Sequence, residues 1–451
     1  MGKKKPKANG TKPAEKPQGC YVLSLSVENV RCFGPKQTLD CSDGKGRPRQ
    51  WTVILGDNGT GKTTLLSATA VGTYSSFGNT EDAGRQYARS TQISAEILIS
   101  LAVGPSIRET RSATVISLKG QIDVRNDRRW EQWDGVEELQ ASNVGYSDRV
   151  FGYGSSRVFI TNFSRCSFGT FIDANDSLLS GHPLIDPVQW LLDLDYSAQT
   201  VGGSQVVRRN QILDLIRDVL PDVRDVKFIP GSGPVPKPRV EFLTPYGWVP
   251  LRQLGHGYQT MIAWVIDFVS RMVERYPDSE NPLAEPAVCL VDEIDLHLHP
   301  VWQRKVIGYL SERFPNTQFI VTAHSPLVVQ AAASADANIA VLERSKEKDA
   351  DGNYYVEIKN NPEDVKNWRL DQILTSDLFG GLSLNSPKVE ELFKEKEHLA
   401  GLKRPTPAQK ARLIEIEAEL TKLPVGDDAR EVREMQAIRD ALNHLQKRPV
   451  K

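Results

Sequence analysis

Residues 56–63 read Gly-Asp-Asn-Gly-Thr-Gly-Lys-Thr. The four fixed positions of a phosphate-binding loop are all filled, by Gly56, Gly61, Lys62 and Thr63. Such a loop cradles the phosphates of a nucleotide. Its glycines let backbone N–H groups turn inward, and the helix that follows adds partial positive charge. The lysine reaches the β- and γ-phosphates and the hydroxyl ligates Mg2+. Asn58, Gly59 and Thr64 share the loop and the helix start. A second cluster lies far along the chain, where Val288-Cys-Leu-Val-Asp292-Glu293 is an apolar run ending in two acids. Asp292 is suited to holding Mg2+ through water, and Glu293 to polarising an attacking water. A third run, Phe319-Ile-Val-Thr-Ala-His324, ends in a histidine. It can contact a γ-phosphate and sense hydrolysis, or serve as a capping or core residue.

Each group needs an element to aim it. The apolar run 51–55 reads as a buried strand leading into the loop, and 64–70 as the helix leaving it. Residues 20–55 and 92–125 hold strand-like alternation. Residues 182–222 carry helical spacing, and 230–238 is a Pro/Gly-rich turn region. A hairpin-like pair follows at 240–243 and 248–251. Residues 258–276 form a long helix with Ile262, Val265, Ile266, Val269 and Met272 on one side. In the tail, Ser386-Pro387 is an N-cap with proline at the first helical position. Thr406-Pro407-Ala408-Gln409 is a capping box, and a third helix is expected over 432–445.

With 39% hydrophobic and 25% charged residues among 451, the composition is that of a soluble globular protein of two or three domains. No apolar run is long enough to span a bilayer, and no apolar signal core is seen at the start. Six lysines against one glutamate in residues 1–18 make a basic, disordered tail, more suited to solubilising than to binding nucleic acid. The whole-chain charge of −1 gives no support for a nucleic-acid partner. Five scattered cysteines (Cys20, Cys32, Cys41, Cys166, Cys289) lack metal-ligand spacing and fit a reducing cytoplasm.

The three segments together resemble the ATP-binding-cassette (ABC) ATPase class that includes the structural-maintenance, RecF and overcoming-lysogenization-defect proteins. The resemblance implies ATP and Mg2+ as cofactors. It also implies that Arg31-Cys-Phe-Gly leads toward the nucleotide base, and that two heads sandwich ATP with a signature loop supplied in trans. The candidate signature is Leu254-Gly255-His256-Gly257-Tyr258-Gln259. The usual pattern has serine second and often an acid third, where this chain has Gly255 and His256. A backbone N–H remains for the γ-phosphate, so the departure bears on hydrolysis more than on binding. His256 is either a cationic replacement or a tolerated loop residue. Asp295-Leu-His297-Leu-His299-Pro300 resembles the dimer-contact loop, and its two histidines lack a third ligand for a metal. For the glutamine-bearing loop the nearest candidate is Tyr153-Gly-Ser-Ser-Arg157, with Arg157 as a phosphate or partner contact.

The stretch between phosphate loop and signature lacks long heptads, which excludes a coiled-coil arm. Glu343 and Asp349-Ala-Asp351 are too close together for the nuclease site of the lysogenization-defect proteins. Asp351-Gly-Asn reads as a hairpin turn. A finer resemblance covers nearly all of the chain after its tail. Phe151-Gly-Tyr-Gly-Ser-Ser-Arg, the signature loop, 292–300 and 368–380 are similar to the ATPase subunits of anti-phage operons, the Septu PtuA family also found with retrons.

The expected fold is α/β: an ABC-type P-loop ATPase head over 20–345, with an N-terminal antiparallel β-subdomain and a helical insertion at about 165–240. Residues 1–19 form the disordered basic tail and 346–451 a C-terminal helical interaction region. The resemblance implies a cytoplasmic homo-oligomer that regulates a separate PtuB-like HNH nuclease, meets DNA through that complex and has no membrane partner. The alternatives are a non-hydrolysing nucleotide sensor and a DNA-repair ATPase that binds DNA directly.

Overall fold

The computed structural model describes residues 18–73, 94–108, 110, 114–123, 130–134, 149–159, 175–220, 222–231, 237–402 and 404–423. Residues 1–17 of the expected tail at 1–19, Cys166 and the expected helix at 432–445 lie outside them, while Gly19 of that tail already belongs to the first strand.

The chain opens on β1 (Gly19–Glu28) and β2 (Gln37–Asp40), which pair antiparallel, and then enters β3 (Trp51–Gly56). The helix Lys62–Thr73 follows the phosphate loop. β4 (Ser94–Gly104), β5 (Thr114–Asp123) and β6 (Trp130–Asp134) complete a five-stranded antiparallel sheet in the order β2-β1-β4-β5-β6. This is the expected N-terminal β-subdomain. β7 (Val150–Tyr153) returns the chain to a second sheet. The helices Pro187–Val201 and Ser204–Val219 come next, then a small sheet of β8 (Asp225–Ile229), β9 (Arg239–Thr244) and β10 (Gly247–Pro250). The helical stretch thus gives way to strand before residue 240. The pair β9-β10 is the hairpin read from the alternation there.

The long helix runs His256–Arg275 and buries Ile262, Val265, Ile266, Val269 and Met272, the face that the 3.6-residue period marks out. β11 (Ala287–Val291), β12 (Thr317–Thr322), β13 (Asn338–Lys348) and β14 (Tyr354–Asn360) follow. They build the central sheet in the order β14-β13-β3-β12-β11-β7, parallel except for the β13-β14 hairpin. Strands buried on both faces are largely apolar, and period-two alternation divides their side chains between two cores. Trp51, Val53, Cys289, Val291, Phe319 and Val321 join one core, with the long helix. Ile54, Val288, Leu290 and Ile320 join the other, with β1, β4 and the helix after the phosphate loop.

The expected boundary at 345/346 does not match the structure. β14 pairs along β13, and the first compact unit extends to Gly380. The hairpin turn is where Asp351-Gly-Asn predicts it, with Asp349 N–H donating to Asn353 O at 2.9 Å and Gly352 at φ 79°. The second unit, Gly381–Lys451, contains a helical hairpin, Pro387–Ala400 and Pro407–Leu420, around Leu392, Leu399 and Ile416. The capping box at Thr406 and Gln409 is formed, whereas the Ser386 side chain makes no cap bond. No described helix is long and apolar enough to cross a membrane.

Candidate nucleotide-binding site

Parallel strands deliver all their following loops to one edge of the sheet, and ligands bind in the crevice outside that edge. Here β3 ends in the phosphate loop, β11 in Asp292 and Glu293, β12 in the segment reaching His324, and β7 in the turn to Arg157. Four segments separated by long stretches of chain therefore meet because their strands are neighbours.

Gly56, Gly59 and Gly61 have φ of 146°, 79° and 88°, values that L side chains rarely adopt. Space is also short. A Cβ on Gly56 would lie 2.7 Å from Leu342 O, and one on Gly61 would lie 2.3 Å from Cys32 Sγ. The Arg31-Cys-Phe turn thus packs under the loop. Arg31 NH1 lies 3.5 Å from Thr64 Oγ1 and its guanidinium is exposed. Asn58, Gly59 and Thr63 are exposed, while Lys62 is buried. Lys62 Nζ donates to Gly56 O at 2.7 Å and Asp57 O at 2.9 Å. Burial pulls its ammonium below the usual lysine value, against the attraction of Asp292, Glu293, Asp57 and Asp295.

Both oxygens of the Asp292 carboxylate are engaged. Thr63 Oγ1 donates to Oδ2 at 2.8 Å, and Thr322 Oγ1 donates to Oδ1 at 2.7 Å. Thr322 also accepts from Glu293 N–H at 2.6 Å, so one hydroxyl at the end of β12 holds both acids. Glu293 sits at φ 50°, a left-handed conformation that needs support in a non-glycine residue. The backbone N–H groups of His324 and Ser325 donate to Asp295 Oδ2 at 2.8 and 2.6 Å, leaving the His324 ring exposed. Motif spacing names neither Thr322 nor Asp295. The one signal for Thr322 is a polar residue closing the apolar run 319–321.

Arg157 departs from its sequence reading. It is 3% exposed and lies beneath the acids, where its NH2 donates to Asp292 O at 3.0 Å and also to Glu293 O. It is therefore not open to a phosphate or a partner. Burial pulls its guanidinium down to about 10 despite the pull of Asp292, Glu293 and Asp295.

The loop 254–259 is arranged differently. Gly255 is the N-cap of the long helix and supplies no side-chain cap, and both Gly255 and His256 are exposed. The loop leans on the segment after the acids. The His256 and His297 rings lie 4.7 Å apart, edge to face, and a Cβ on Gly257 would lie 2.2 Å from His297 O. Among the described residues no hydrogen bond joins 254–259 to 56–64. His299 accepts from Val301 N–H and caps the short helix Pro300–Gln303. Among the described residues no cluster of three or more His, Cys, Asp or Glu could hold a metal. Among the described residues no disulfide joins Cys20, Cys32, Cys41 and Cys289, and burial raises the thiols of Cys20, Cys41 and Cys289.

Two family models match the chain. One described as "AAA domain" covers residues 24–147, with the phosphate loop. One described as "AAA domain, putative AbiEii toxin, Type IV TA system" covers 167–330, with the loop 254–259, the acid pair and His324. The chain is 27% identical over 426 residues to the Septu protein PtuA of Bacillus mycoides (strain KBAB4), a match covering 93% of this chain and 53% of that protein. It therefore spans about half the length of that relative. It is also 46% identical over 86 residues to the "Retron Vc95 probable ATPase" of Vibrio cholerae serotype O1 biovar El Tor, covering 19% of this chain and 17% of that one. Among solved structures, an SMC head bound to the C-winged helix domain of ScpA aligns over 75% of this chain and 97% of that one, at 17% identity and a TM-score of 0.47. The chain carries a P-loop motif at the edge of a mostly parallel six-stranded sheet and is similar to PtuA over 93% of its length.

Proposed function

From the likeness to PtuA and the crevice at the sheet edge, we propose that this chain is an ATP-hydrolysing subunit of a bacterial anti-phage defence complex. The observation that carries the reading is the hydroxyl–carboxylate chain Thr63–Asp292–Thr322, which ties the phosphate loop to the acids. Lys62 exchanges its two loop carbonyls for the β- and γ-phosphates, while the first-turn N–H groups of its helix face the same anion. Thr63 Oγ1 and the Asp292 carboxylate are hard oxygen donors 2.8 Å apart, a set that fits Mg2+. When bound, that ion neutralises charge on the phosphates. Glu293 orients and deprotonates the attacking water, and His324 contacts the γ-phosphate.

The loop 254–259 completes the site of a second copy. Its exposed helix start supports this, because the first N–H groups of the helix have no intrahelical partner and no side-chain cap. Gly255, His256 and Gly257 then face the γ-phosphate across a head-to-head dimer, and nucleotide state sets head spacing. The next step in this reading is that the heads control a separate HNH-type nuclease, with DNA met through that complex; it rests on the family resemblance of the motifs.

The absent side-chain cap at Gly255 favours a second reading, a nucleotide sensor that turns over slowly or not at all. Turnover by the purified chain, alone and with an HNH nuclease, separates the two. In cells challenged with phage, Lys62→Ala abolishes protection under either reading. Protection that survives Lys62→Ala contradicts both.

A further inference from the structure

Arg157 is a buried charge that the phosphate chemistry leaves unused. It has no carboxylate partner among the described residues, and its Nε has no hydrogen bond at all. A buried cation of this kind is poor value for stability alone, since an apolar residue would fill the space at less desolvation cost. Its bonds go instead to two backbone carbonyls, those of Asp292 and Glu293. The turn carrying it continues from β7, and Asp292 N–H donates to Tyr153 O at 2.8 Å. Arg157 and Glu293 both have left-handed backbones, with φ of 33° and 50°. Such conformations persist where the surroundings over-determine them. At Glu293 they do. Thr322 Oγ1 holds its N–H, Arg157 holds its C=O, and only the side chain is left to face the crevice.

We propose that Arg157 is a positioning residue for Glu293, clamping the acid turn from below so that the Glu293 carboxylate points at the attacking water. The inference rests on the reading of Glu293 as the base. A structural brace that merely kept the fold together would affect nucleotide affinity, turnover and thermal midpoint alike. A positioning residue affects turnover alone.

The test is a double-mutant cycle on full-length protein with Arg157→Lys and Glu293→Gln, reading MgATP affinity, turnover and thermal midpoint. Arg157→Lys is expected to leave affinity within about two-fold and to lower turnover about 100-fold. Added to Glu293→Gln it is expected to lower turnover no further, because the carboxylate it positions is already gone. Guanidinium salt added to Arg157→Ala is expected to restore part of the turnover. Turnover of Arg157→Lys within about two-fold of the parent, or losses that multiply with Glu293→Gln, overturn the inference. So does a loss of affinity parallel to the loss of turnover, or a folded Arg157→Ala that guanidinium does not rescue. If Glu293→Gln turns over at the parental rate, the base assignment itself fails. If Glu293→Gln is inactive while Arg157→Lys is normal, the base stands and only the clamp falls.

Discussion

Two glycine-bearing loops each feed the N-terminus of a helix, and they are built in opposite ways. The loop at 56–63 is braced on every side. Its lysine is buried, its threonine is tied to Asp292, and Leu342 and Cys32 leave no room for a Cβ at Gly56 or Gly61. The loop at 254–259 exposes Gly255 and His256, has no side-chain cap and leans on His297 of the segment after the acids. Under the proposed reading the contrast separates a half-site assembled within one chain from a surface that serves the nucleotide of a second copy. It also predicts different failures. Changes at the first loop should abolish binding or chemistry in a single chain, and changes at the second should spare single-chain binding.

The largest effect is expected at the braced side. Glu293→Gln should lower ATP turnover about 1,000-fold while keeping affinity, and should accumulate an ATP-bound assembly. Steady-state hydrolysis and size-exclusion chromatography with MgATP check it, and undiminished turnover removes Glu293 as the base. Lys62→Ala should weaken nucleotide affinity about 100-fold, read by titration with a fluorescent ATP analogue. Parental affinity would break the assignment of the phosphate loop.

The open side should respond more gently. Gly257→Ala forces its new Cβ against the His297 carbonyl, and turnover should fall about 10-fold with single-chain affinity unchanged. An equal fall in affinity would mean that both loops serve one chain's own site. Gly255→Ser has space, its Cβ meeting only the Tyr258 ring at 3.5 Å. Restoring a hydroxyl there should raise turnover about three-fold, within the range of one added hydrogen bond. Lower turnover would show that this chain's signature loop requires the bare glycine.

The braced half of the site is also the half that sequence exposes. Each of its motifs closes a short apolar strand, and parallel strands of that kind must be neighbours in a buried sheet, so Lys62, Thr63, Asp292, Glu293 and His324 could be grouped before any coordinates. The partners that hold them were not legible. Thr322 and Asp295 act through bonds to groups whose proximity depends on strand order, which spacing does not encode. An arginine beside glycines and serines has the composition of an exposed phosphate contact, and only burial shows that Arg157 serves two carbonyls. The segment 346–380 reads as tail because the edge strand β14 alternates apolar with polar and charged residues and exposes Tyr354, Lys359 and Asn360, so it lacks the apolar continuity of the strands inside the sheet.

The central claim is that one chain's phosphate loop is completed by another chain's loop at 254–259. Mixing Lys62→Ala chains with Gly257→Asp chains tests it most directly, with ATP turnover as the readout. Each variant alone should be inactive. Mixed dimers carry one site with both loops intact, so the account predicts that turnover returns on mixing. Turnover that stays absent while the two variants demonstrably associate, or a Gly257→Asp chain that is fully active alone, would contradict it.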